Sequence, residues 1–357
     1  MGLDQAKAVR KGEQLNEEKL LSYLNKHLEK KESALDVKQF PSGFSNLTYL
    51  VQYDNADYVL RRPPFGANVK SGHDMGREYK ILSALEGHYQ KAPKPLLFCE
   101  DLSVLDAPFY LMERVEGTIL RASTPKEEMP SPTEFTQLAE NLVDTLVELH
   151  ELDYKAMGLG ELGNPEGYVE RQVVGWAKRY QKAKTHDHKA MEDTAKWLAS
   201  HMPQKSGASL IHNDFKYDNL VLTPDGQFNV KAVLDWEMTT LGDPLMDLGT
   251  TLGYWIHHTD PEFIAQNQLN LTTQPGNPTR GEIVELYAQK SGRAVDDIVF
   301  YFVFGVFKIA VIVQQIYYRY HLGHTQDPRF QHLDKIVSLY GMVAQQAIQK
   351  QKIDHLF

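Results

Sequence analysis

Apolar and polar residues alternate in several short stretches of the first third of the chain. The period-two pattern over residues 37–40, 47–53 and 58–62 predicts three strands, because successive side chains of a strand point to opposite faces. Turn-forming residues fill the segments between these strands. A helix is predicted over about 73–89, and residues 109–112 predict a further short strand. This order of elements indicates a small, β-rich first part.

The spacing of apolar residues becomes helical after Gly117. Ser131 and Glu134 form a capping box with Pro132 at the first helical position, and the leucines that follow recur on one helical face. The later predicted helices cover residues 279–291, 295–322 and 328–350. We therefore predict an α+β fold of two lobes, a small β-rich N-terminal lobe over 1–115 and a larger helical C-terminal lobe over 116–357.

Composition and charge narrow the class of protein. The longest apolar run, residues 298–313, is interrupted by Lys308 and is shorter than the roughly 20 residues that a membrane span needs, so it predicts a buried helix and no membrane association. A net charge of −9 argues against nucleic-acid binding. The single cysteine, Cys99, excludes an intrachain disulfide. With no apolar leader at the N-terminus, these features predict a cytoplasmic protein.

One polar loop interrupts the helical part and carries candidate chemistry. Residues 210–220 place Asp214, Lys216 and Asn219 between apolar runs, and Asp235 ends the next apolar run. Asp214 would orient an acceptor hydroxyl and take its proton, and Lys216 would meet charge on a transferred phosphate. Asn219 and Asp235 would hold Mg²⁺ with oxygen ligands. Because Asp214 and Asn219 have the spacing of the kinase catalytic loop, we predict a kinase that uses ATP and Mg²⁺.

Each of these residues has a simpler structural explanation when it is taken alone. His212 would pack or hydrogen-bond beneath the loop, and aspartate and asparagine are common in turns and caps. A kinase-like binding module without catalysis would be expected to lack Asp214, Asn219 or Asp235, but all three are present. A metal hydrolase would need more histidine and carboxylate ligands at metal spacing. The whole set therefore favours phosphotransfer over these two alternatives.

The first lobe carries candidate nucleotide contacts. Arg61 ends the third predicted strand, where a kinase has a lysine that touches phosphates and pairs with a helix glutamate. An arginine suits both tasks, and Glu78 is its predicted partner. Alternation separates Arg61 from its competitor Arg62, which shares the other face of the strand. A turn of small residues between the first two strands would bring backbone N–H groups close to phosphates. The residues of this turn are Ser42, Gly43, Phe44, Ser45 and Asn46.

Glu113 and Val115 lie between a predicted strand and Gly117. As a hinge between the lobes, their backbone N–H and C=O groups would bind the edge of the nucleotide base. This prediction rests on position, and the pattern does not distinguish ATP from GTP.

Together the motifs resemble the aminoglycoside phosphotransferase-like kinase family. The shared segments are Ser42-Gly43-Phe44-Ser45-Asn46, Val59-Leu60-Arg61, Glu78, His212-x-Asp214-x-x-x-x-Asn219, Leu234-Asp235-Trp236-Glu237 and Gly242-Asp243-Pro244-x-x-Asp247-Leu248. The resemblance implies a protein-kinase-like two-lobed fold, with a nucleotide-binding N-terminal lobe and a C-terminal lobe that holds the catalytic loop and the acceptor site. It also implies that Asp247 anchors the catalytic loop, with His212 as further structural support.

A closer similarity links the chain to a subfamily of bacterial phosphotransferases and of kinase-like domains fused to acyl-CoA dehydrogenases in animals. It is carried by Leu60-Arg61-Arg62-Pro63-Pro64, Arg77-Glu78-Tyr79, residues 108–117 and Phe304-x-x-Phe307-Lys308-Ile309-Ala310. The similarity implies phosphorylation of a hydroxyacyl-CoA, notably a 4-hydroxyacyl-CoA. Arg61 fits the subfamily, whereas Lys308 stands where an arginine is expected.

The charge pattern offers independent support for an anionic small-molecule acceptor. Residues 171–189 contain six basic side chains and one acid, Asp187. Such a segment would attract a CoA ester and repel a cationic aminoglycoside, although a solvated helix face without a ligand is the alternative. The candidate acceptor contacts are Arg171, Lys178, Arg179 and Arg319. An aminoglycoside or another small metabolite is the alternative acceptor, and the oligomeric state is left open.

Overall fold

The computed structural model of the chain describes residues 5–29, 31–41, 46–65, 74–267, 269–325 and 327–357. Four residues of the predicted phosphate turn, Ser42, Gly43, Phe44 and Ser45, lie outside the described residues. Asn46, the fifth, is described and is buried.

An antiparallel five-stranded sheet forms the N-terminal lobe, with the strand order β1-β2-β3-β5-β4. Its strands are β1 (Asp36–Gln39), β2 (Leu47–Tyr53), β3 (Ala56–Arg62), β4 (Pro95–Cys99) and β5 (Phe109–Glu113). Three helices accompany the sheet, α1 (Glu17–His27), α2 (Met75–Leu85) and the short α3 (Leu102–Leu105).

Local sequence explains the helices beside the sheet. The side chain of Asn16 accepts a hydrogen bond from the N–H of Lys19, which caps α1. Asp74 caps α2 in the same way. Helix α2 then ends earlier than predicted, at Leu85, because Gly87 has a φ of +82° that does not continue a helix.

The C-terminal lobe is mostly helical. Its helices are α4 (Pro132–His150), α5 (Tyr168–Ala183), α6 (Lys189–Ser200), α7 (Pro244–Tyr254), α8 (Glu262–Ala265), α9 (Arg280–Ser291), α10 (Ile298–His321) and α11 (Leu333–Lys350). Two small antiparallel pairs lie among them: β6 (Ser209–Ile211) with β9 (Thr240–Gly242), and β7 (Leu220–Leu222) with β8 (Val230–Val233). The predicted capping box of Ser131 and Glu134 is confirmed at α4.

The short strands decide where the polar loop lies. Strand β6 leads directly into the loop at His212, and the β7–β8 hairpin connects Asn219 to Asp235. The bounds of these three- and four-residue strands could not be predicted, because so short an apolar run carries no clear period.

Helix α10 runs through the core of the C-terminal lobe. Within the described residues, α10 is long and apolar enough to cross a membrane. However, 78% of its most apolar 18-residue window is buried inside the fold. It packs against α7, α11 and α5. The buried helix predicted for the longest apolar run is therefore confirmed.

The crossing of α7 and α10 depends on glycine. A Cβ added at Gly305 would overlap the backbone carbonyl of Gly249, and one added at Gly249 would overlap the carbonyl of Tyr301. Backbone atoms cannot move aside as a flexible side chain does. The two helices consequently approach each other with no room for a methyl group.

We predict that Gly305→Ala lowers the free energy of unfolding by about 3 kcal/mol, the upper part of the usual range for an overpacked core. Gly160→Ala is the matched control, because no atom lies within 4 Å of the added Cβ. Urea denaturation of both variants measures the difference. Equal stability of the two variants would contradict the tight crossing.

Candidate active site

The carboxylate of Asp214 lies at the centre of the polar loop. Lys216 Nζ donates to both of its oxygens, at 3.0 and 2.9 Å. Asn219 Nδ2 donates to Asp214 Oδ2 at 3.0 Å and to its backbone carbonyl at 2.9 Å. The structure therefore brings together the predicted base, the predicted phosphate contact and one predicted metal ligand.

Asn219 and Asp235 lie at the same end of the β7–β8 hairpin. The N–H of Leu234 donates to the carbonyl of Asn219 at 2.8 Å, which places Asp235 next to Asn219 across the hairpin. The amide nitrogen of Asn219 donates to Asp214, so the amide oxygen of Asn219 points away from Asp214. An amide oxygen and a carboxylate are hard ligands that suit Mg²⁺, and nucleotide phosphates and water usually complete such a shell. The residues present fit the predicted metal.

Asp235 has a left-handed backbone with φ +71°. Such a conformation is uncommon outside glycine, although aspartate and asparagine tolerate it best. A strained residue of this kind marks a candidate functional site.

Arg61 joins the sheet to this hairpin. Its Nη1 donates to Glu78 Oε1 at 2.9 Å, and its Nη2 donates to Asp235 Oδ1 at 2.9 Å and to Glu237 Oε2 at 3.4 Å. The Arg61 side chain is 9% exposed and that of Glu78 is 1% exposed. Burial would lower the pKa of Arg61, but the carboxylates of Glu78 and Asp235 raise it above its usual value. The pairing predicted for Arg61 and Glu78 is confirmed.

Arg62 takes no part in this network. Its guanidinium lies 3.7 Å from the ring centroid of Phe65, and its Nε donates to the carbonyl of Pro63. The alternation of the strand thus separates the two arginines as predicted. Asn46 lies on the side of Arg61, because its Nδ2 donates to Glu237 Oε2 at 2.6 Å.

Asp247 holds the start of the catalytic loop. Its two oxygens accept the backbone N–H groups of His212 and Asn213, each at 2.7 Å. Burial would raise the pKa of Asp247, but hydrogen bonds from His150 and from the backbone N–H of His212 hold the pKa below its usual value. The buried carboxylate therefore stays ionised and fixes the loop in the way that the family resemblance implied.

His212 links the loop to the metal-ligand strand. Burial lowers the pKa of His212, so the ring is neutral at pH 7. Its Nε2 donates to the carbonyl of Leu234 at 3.0 Å, and its Nδ1 accepts the N–H of Asp214 at 3.3 Å. The ring is structural support, as predicted, and it does not reach the reacting groups.

The geometry of the loop agrees with the comparisons to known proteins. The model of the phosphotransferase enzyme family matches residues 36–280. The chain belongs to the phosphotransferase enzyme family.

Relatives of this phosphotransferase include larger proteins. Acyl-CoA dehydrogenase family member 11 of Homo sapiens is 37% identical over 317 residues, which are 85% of this chain and 39% of the relative. The protein of the same name in Gallus gallus is 36% identical over 295 residues, 82% of this chain and 38% of the relative. The chain thus spans less than half the length of these relatives, and the predicted subfamily resemblance is confirmed.

Solved structures show the same fold. A Ralstonia eutropha protein assigned to the aminoglycoside phosphotransferases is 32% identical and has a TM-score of 0.79, covering 94% of this chain and 99% of that one. Choline kinase of Cryptosporidium parvum is 14% identical with a TM-score of 0.65, covering 95% and 98%, and shows the fold alone. The predicted kinase-like α+β fold is confirmed.

Helix α5 of this phosphotransferase lies beside the catalytic loop. Its first residue, Tyr168, places its hydroxyl 3.3 Å from Asn213 Oδ1. Lys178 and Arg179 are exposed on the same helix, and the Arg179 guanidinium lies 4.6 Å from the ring centroid of Trp176. These two acceptor candidates therefore lie on the helix that flanks the loop.

The structure reduces the free charge of the basic segment. Lys184 pairs with Asp187 and Glu192, and Lys189 pairs with Asp193. No ion pair among the described residues involves Lys178, Arg179 or Lys182. Arg171 also keeps its charge, because it donates only to backbone carbonyls. The attraction for an anion therefore rests on Arg171 and these three cations, not on the whole segment.

The other two acceptor candidates lie differently. Arg171 donates to the backbone carbonyls of Asn164 and Glu166, so its guanidinium fixes the loop before α5. Arg319 is exposed in the last turn of α10, three turns beyond Lys308 along the helix. The structure does not bring either side chain to Asp214.

A backbone contact to the β7–β8 hairpin directly follows the predicted hinge. The N–H of Thr118 donates to the carbonyl of Leu222 at 3.0 Å, and Leu222 returns a bond of 2.8 Å. A Cβ on Gly117 would overlap that carbonyl, which explains a glycine at this point. Glu113 and Val115 immediately precede this contact, and their role at the nucleotide base stays a prediction, as does the lobe boundary.

Several residues around the site were not found from sequence. His150 Nε2 donates to Asp247 Oδ2 at 3.2 Å, and the Tyr287 hydroxyl donates to Nδ1 of the same ring at 2.8 Å. Tyr254 lies beneath Lys216, whose Nζ is 4.6 Å from the ring centroid. Each of these residues lies on a helix among mostly apolar buried positions. No sequence motif marks them as part of the site.

We predict that Arg61→Met and Glu78→Gln are coupled by about 1–3 kcal/mol in the free energy of unfolding, because each removes one side of a buried pair. Arg61→Met alone should cost more, since it leaves Glu78 buried without its cation. Denaturation of the two single variants and the double variant measures the coupling.

Arg62→Met with Glu78→Gln is the control cycle for this pair. Arg62 lies on the opposite face of β3, so its effect should add to that of Glu78→Gln. Coupling of Glu78 to Arg62 and not to Arg61 would contradict the described geometry.

Proposed function

We propose that this phosphotransferase moves the γ-phosphate of ATP, bound with Mg²⁺, to a hydroxyl group of a small anionic molecule, and that a hydroxyacyl-CoA is the acceptor. The observation that carries the chemistry is the contact of Asp214 with Lys216 and Asn219, all within 3.0 Å, beside the Asp235 hairpin. A kinase needs this combination of base, cation and hard oxygen ligands at one point.

Asp214 acts on the acceptor hydroxyl in this proposal. Its carboxylate accepts the hydroxyl proton and holds the oxygen in line with the phosphate. Lys216 now donates to both oxygens of Asp214, which offsets the negative charge of the base. With phosphate present, the same ammonium can donate to a phosphate oxygen and release one carboxylate oxygen for the hydroxyl.

Asn219 and Asp235 would hold the metal, and Arg61 would lie beside the phosphates. Bound Mg²⁺ supplies neutralisation of phosphate charge. Arg61 hydrogen-bonds to Asp235 Oδ1, and burial opposed by the Arg61 charge leaves the pKa of Asp235 below its usual value. Asp235 is therefore an anion at neutral pH, as a metal ligand must be.

The acceptor is inferred from two further observations. Lys178, Arg179 and Lys182 are exposed on α5, and its first residue touches the catalytic loop. The relatives with 36–37% identity carry acyl-CoA dehydrogenase in their names. A CoA thioester bears phosphates that three cations would attract, and its acyl chain can bear the hydroxyl.

An aminoglycoside is the second candidate, because the Ralstonia eutropha protein is assigned to that class of enzyme. A polycationic acceptor would meet repulsion from the α5 cations and from Lys216. The cations of α5 therefore favour the anion.

We predict that Asp214→Asn lowers kcat by roughly 10²-fold or more, because the amide cannot accept the proton. ATP binding, measured by calorimetry, should be retained. Asp225→Asn, an exposed aspartate in the β7–β8 turn, is the control and should keep normal turnover. The assay offers hydroxyacyl-CoAs, aminoglycosides, choline and homoserine with ATP and Mg²⁺. Near-normal kcat in folded Asp214→Asn would remove Asp214 as the base.

Charge reversal tests the acceptor. We predict that the triple variant Lys178→Glu, Arg179→Glu and Lys182→Glu raises the acceptor KM by roughly tenfold, the low end of electrostatic steering effects, and leaves the ATP KM nearly unchanged. Added salt should shrink the difference between the variant and the unaltered protein, because exposed charges are screened.

The control for charge reversal carries the same change of charge elsewhere. Lys11, Lys26 and Lys31 are exposed in the N-terminal lobe, and their replacement by Glu should leave both KM values near normal. Tighter acceptor binding after reversal on α5, or phosphorylation of aminoglycosides alone, would overturn the anionic acceptor.

A further inference from the structure

One charged side chain near the catalytic loop has no place in the proposed chemistry. Lys308 is on α10, in the middle of the apolar core helix, and is only 2% exposed. Its Nζ donates to the backbone carbonyl of Asn213 at 2.7 Å and lies 3.3 Å from Asn213 Oδ1. A buried ammonium is costly, so its retention here needs an explanation.

The carbonyl that Lys308 binds belongs to the peptide group between Asn213 and Asp214. The N–H of that same peptide group donates to His212 Nδ1 at 3.3 Å. The peptide immediately before the catalytic carboxylate is thus held at both ends, by a cation on one side and by a neutral imidazole on the other. Such a pair of bonds sets the direction in which the Asp214 side chain leaves the backbone.

Asn213 needs this support because of its backbone. Its φ of +68° is a left-handed conformation that relaxes unless its surroundings hold it. Asp247 holds its N–H, and the carbonyl of Met238 accepts from its Nδ2 at 3.1 Å. Among the described contacts of its carbonyl, Lys308 supplies the charge-assisted bond, the stronger kind of hydrogen bond.

We infer that Lys308 is a positioning residue, which clamps the Asn213–Asp214 peptide from the core helix and so aims the carboxylate of Asp214. The inference rests on the proposed function for the role of Asp214. The clamp itself is a property of the loop and can be measured without any acceptor.

The charge state of Lys308 adds a second consequence. Burial lowers the pKa of Lys308 to about 8, a shift that Asp247 and Asp214 oppose and that Lys216 and Arg179 reinforce. These are the charged groups that face it from α7, from the catalytic loop and from α5. The charge-assisted bond to Asn213 therefore weakens as the pH rises through about 8.

Deprotonation of Lys308 weakens its bond to Asn213 but has the opposite effect on the free energy of unfolding of the whole protein. The pKa of Lys308 in the folded protein lies below its ordinary value, so the unfolded chain binds more protons between the two, and this group adds stability as the pH rises there. This linkage follows from the pKa alone and holds whatever Lys308 does in the fold. A positioning role adds a loss of loop order and turnover over the same pH range, in which the contribution of Lys308 to global stability rises.

Hydrogen–deuterium exchange of the nucleotide-free protein tests the clamp directly. In Lys308→Met, peptides that cover residues 210–222 should exchange about tenfold faster or more at pH 7, because one bond to a charged donor is lost. Lys308→Arg keeps the charge and should restore most of the protection. Gln314→Met is the matched control, since Gln314 is buried on the same helix but donates to Ala183 and Thr185. Unchanged exchange in Lys308→Met would overturn the inference.

Kinetics give the second measurement. In Lys308→Met, kcat should fall by roughly 10-fold to 10²-fold with the ATP KM unchanged, because misplacement of a reacting group costs rate and not nucleotide binding. The unaltered protein should lose kcat above about pH 8, and Lys308→Arg should keep it to higher pH. The same alkaline loss in Lys308→Arg would contradict the role of Lys308. If no acceptor is turned over, the proposed function fails, and the exchange measurement still decides on the clamp.

Discussion

A buried carboxylate is the constraint on which the catalytic loop depends. Asp247 is fully buried, and its two oxygens accept the N–H groups of His212 and Asn213. A buried anion is tolerated only when it is paired and hydrogen-bonded, and His150 supplies the remaining contact. Removal of the carboxyl group would leave two buried N–H groups unsatisfied. Movement of the loop would therefore cost a large free energy. Asp214 directly follows the two anchored residues, so its backbone is held in place as well.

A second buried charge, Arg61, joins the two lobes at the same point. Its guanidinium binds Glu78 on α2, which packs on the sheet, and Asp235 on the hairpin of the other lobe. The planar fork of an arginine suits two partners at once, whereas a lysine is a single point charge. This geometry explains why an arginine can stand where a kinase has a lysine. It also places positive charge beside Asp235, one of the two proposed metal ligands, before a nucleotide arrives.

The sequence predicted much of this site because its chemistry is concentrated in short motifs. The Arg61–Glu78 pair followed from strand alternation, and the loop from the spacing of Asp214 and Asn219. Lys308 and His150 could not be found in this way, because each is a polar residue within an apolar helical face and acts on the loop only through tertiary contact. The count of basic residues over 171–189 overestimated the free positive charge. Lys184 pairs with Glu192 and Lys189 pairs with Asp193, and both acids lie beyond the counted residues. A count of charges within one segment omits acidic residues outside the segment that the helix brings within ion-pair distance.

Two lysines at one loop show how position decides what an ammonium can do. Lys216 lies against Asp214, whose carboxylate raises the pKa of the lysine although burial opposes it, so Lys216 is charged at neutral pH. Lys308 binds a neutral carbonyl, and burial lowers its pKa to about 8. A carboxylate compensates a buried cation far better than a carbonyl dipole does. The side facing the reacting groups therefore holds permanent positive charge, suited to phosphate. On the side facing the core, Lys308 is protonated only below about pH 8. Its ammonium orients a peptide group that takes no part in the reaction itself.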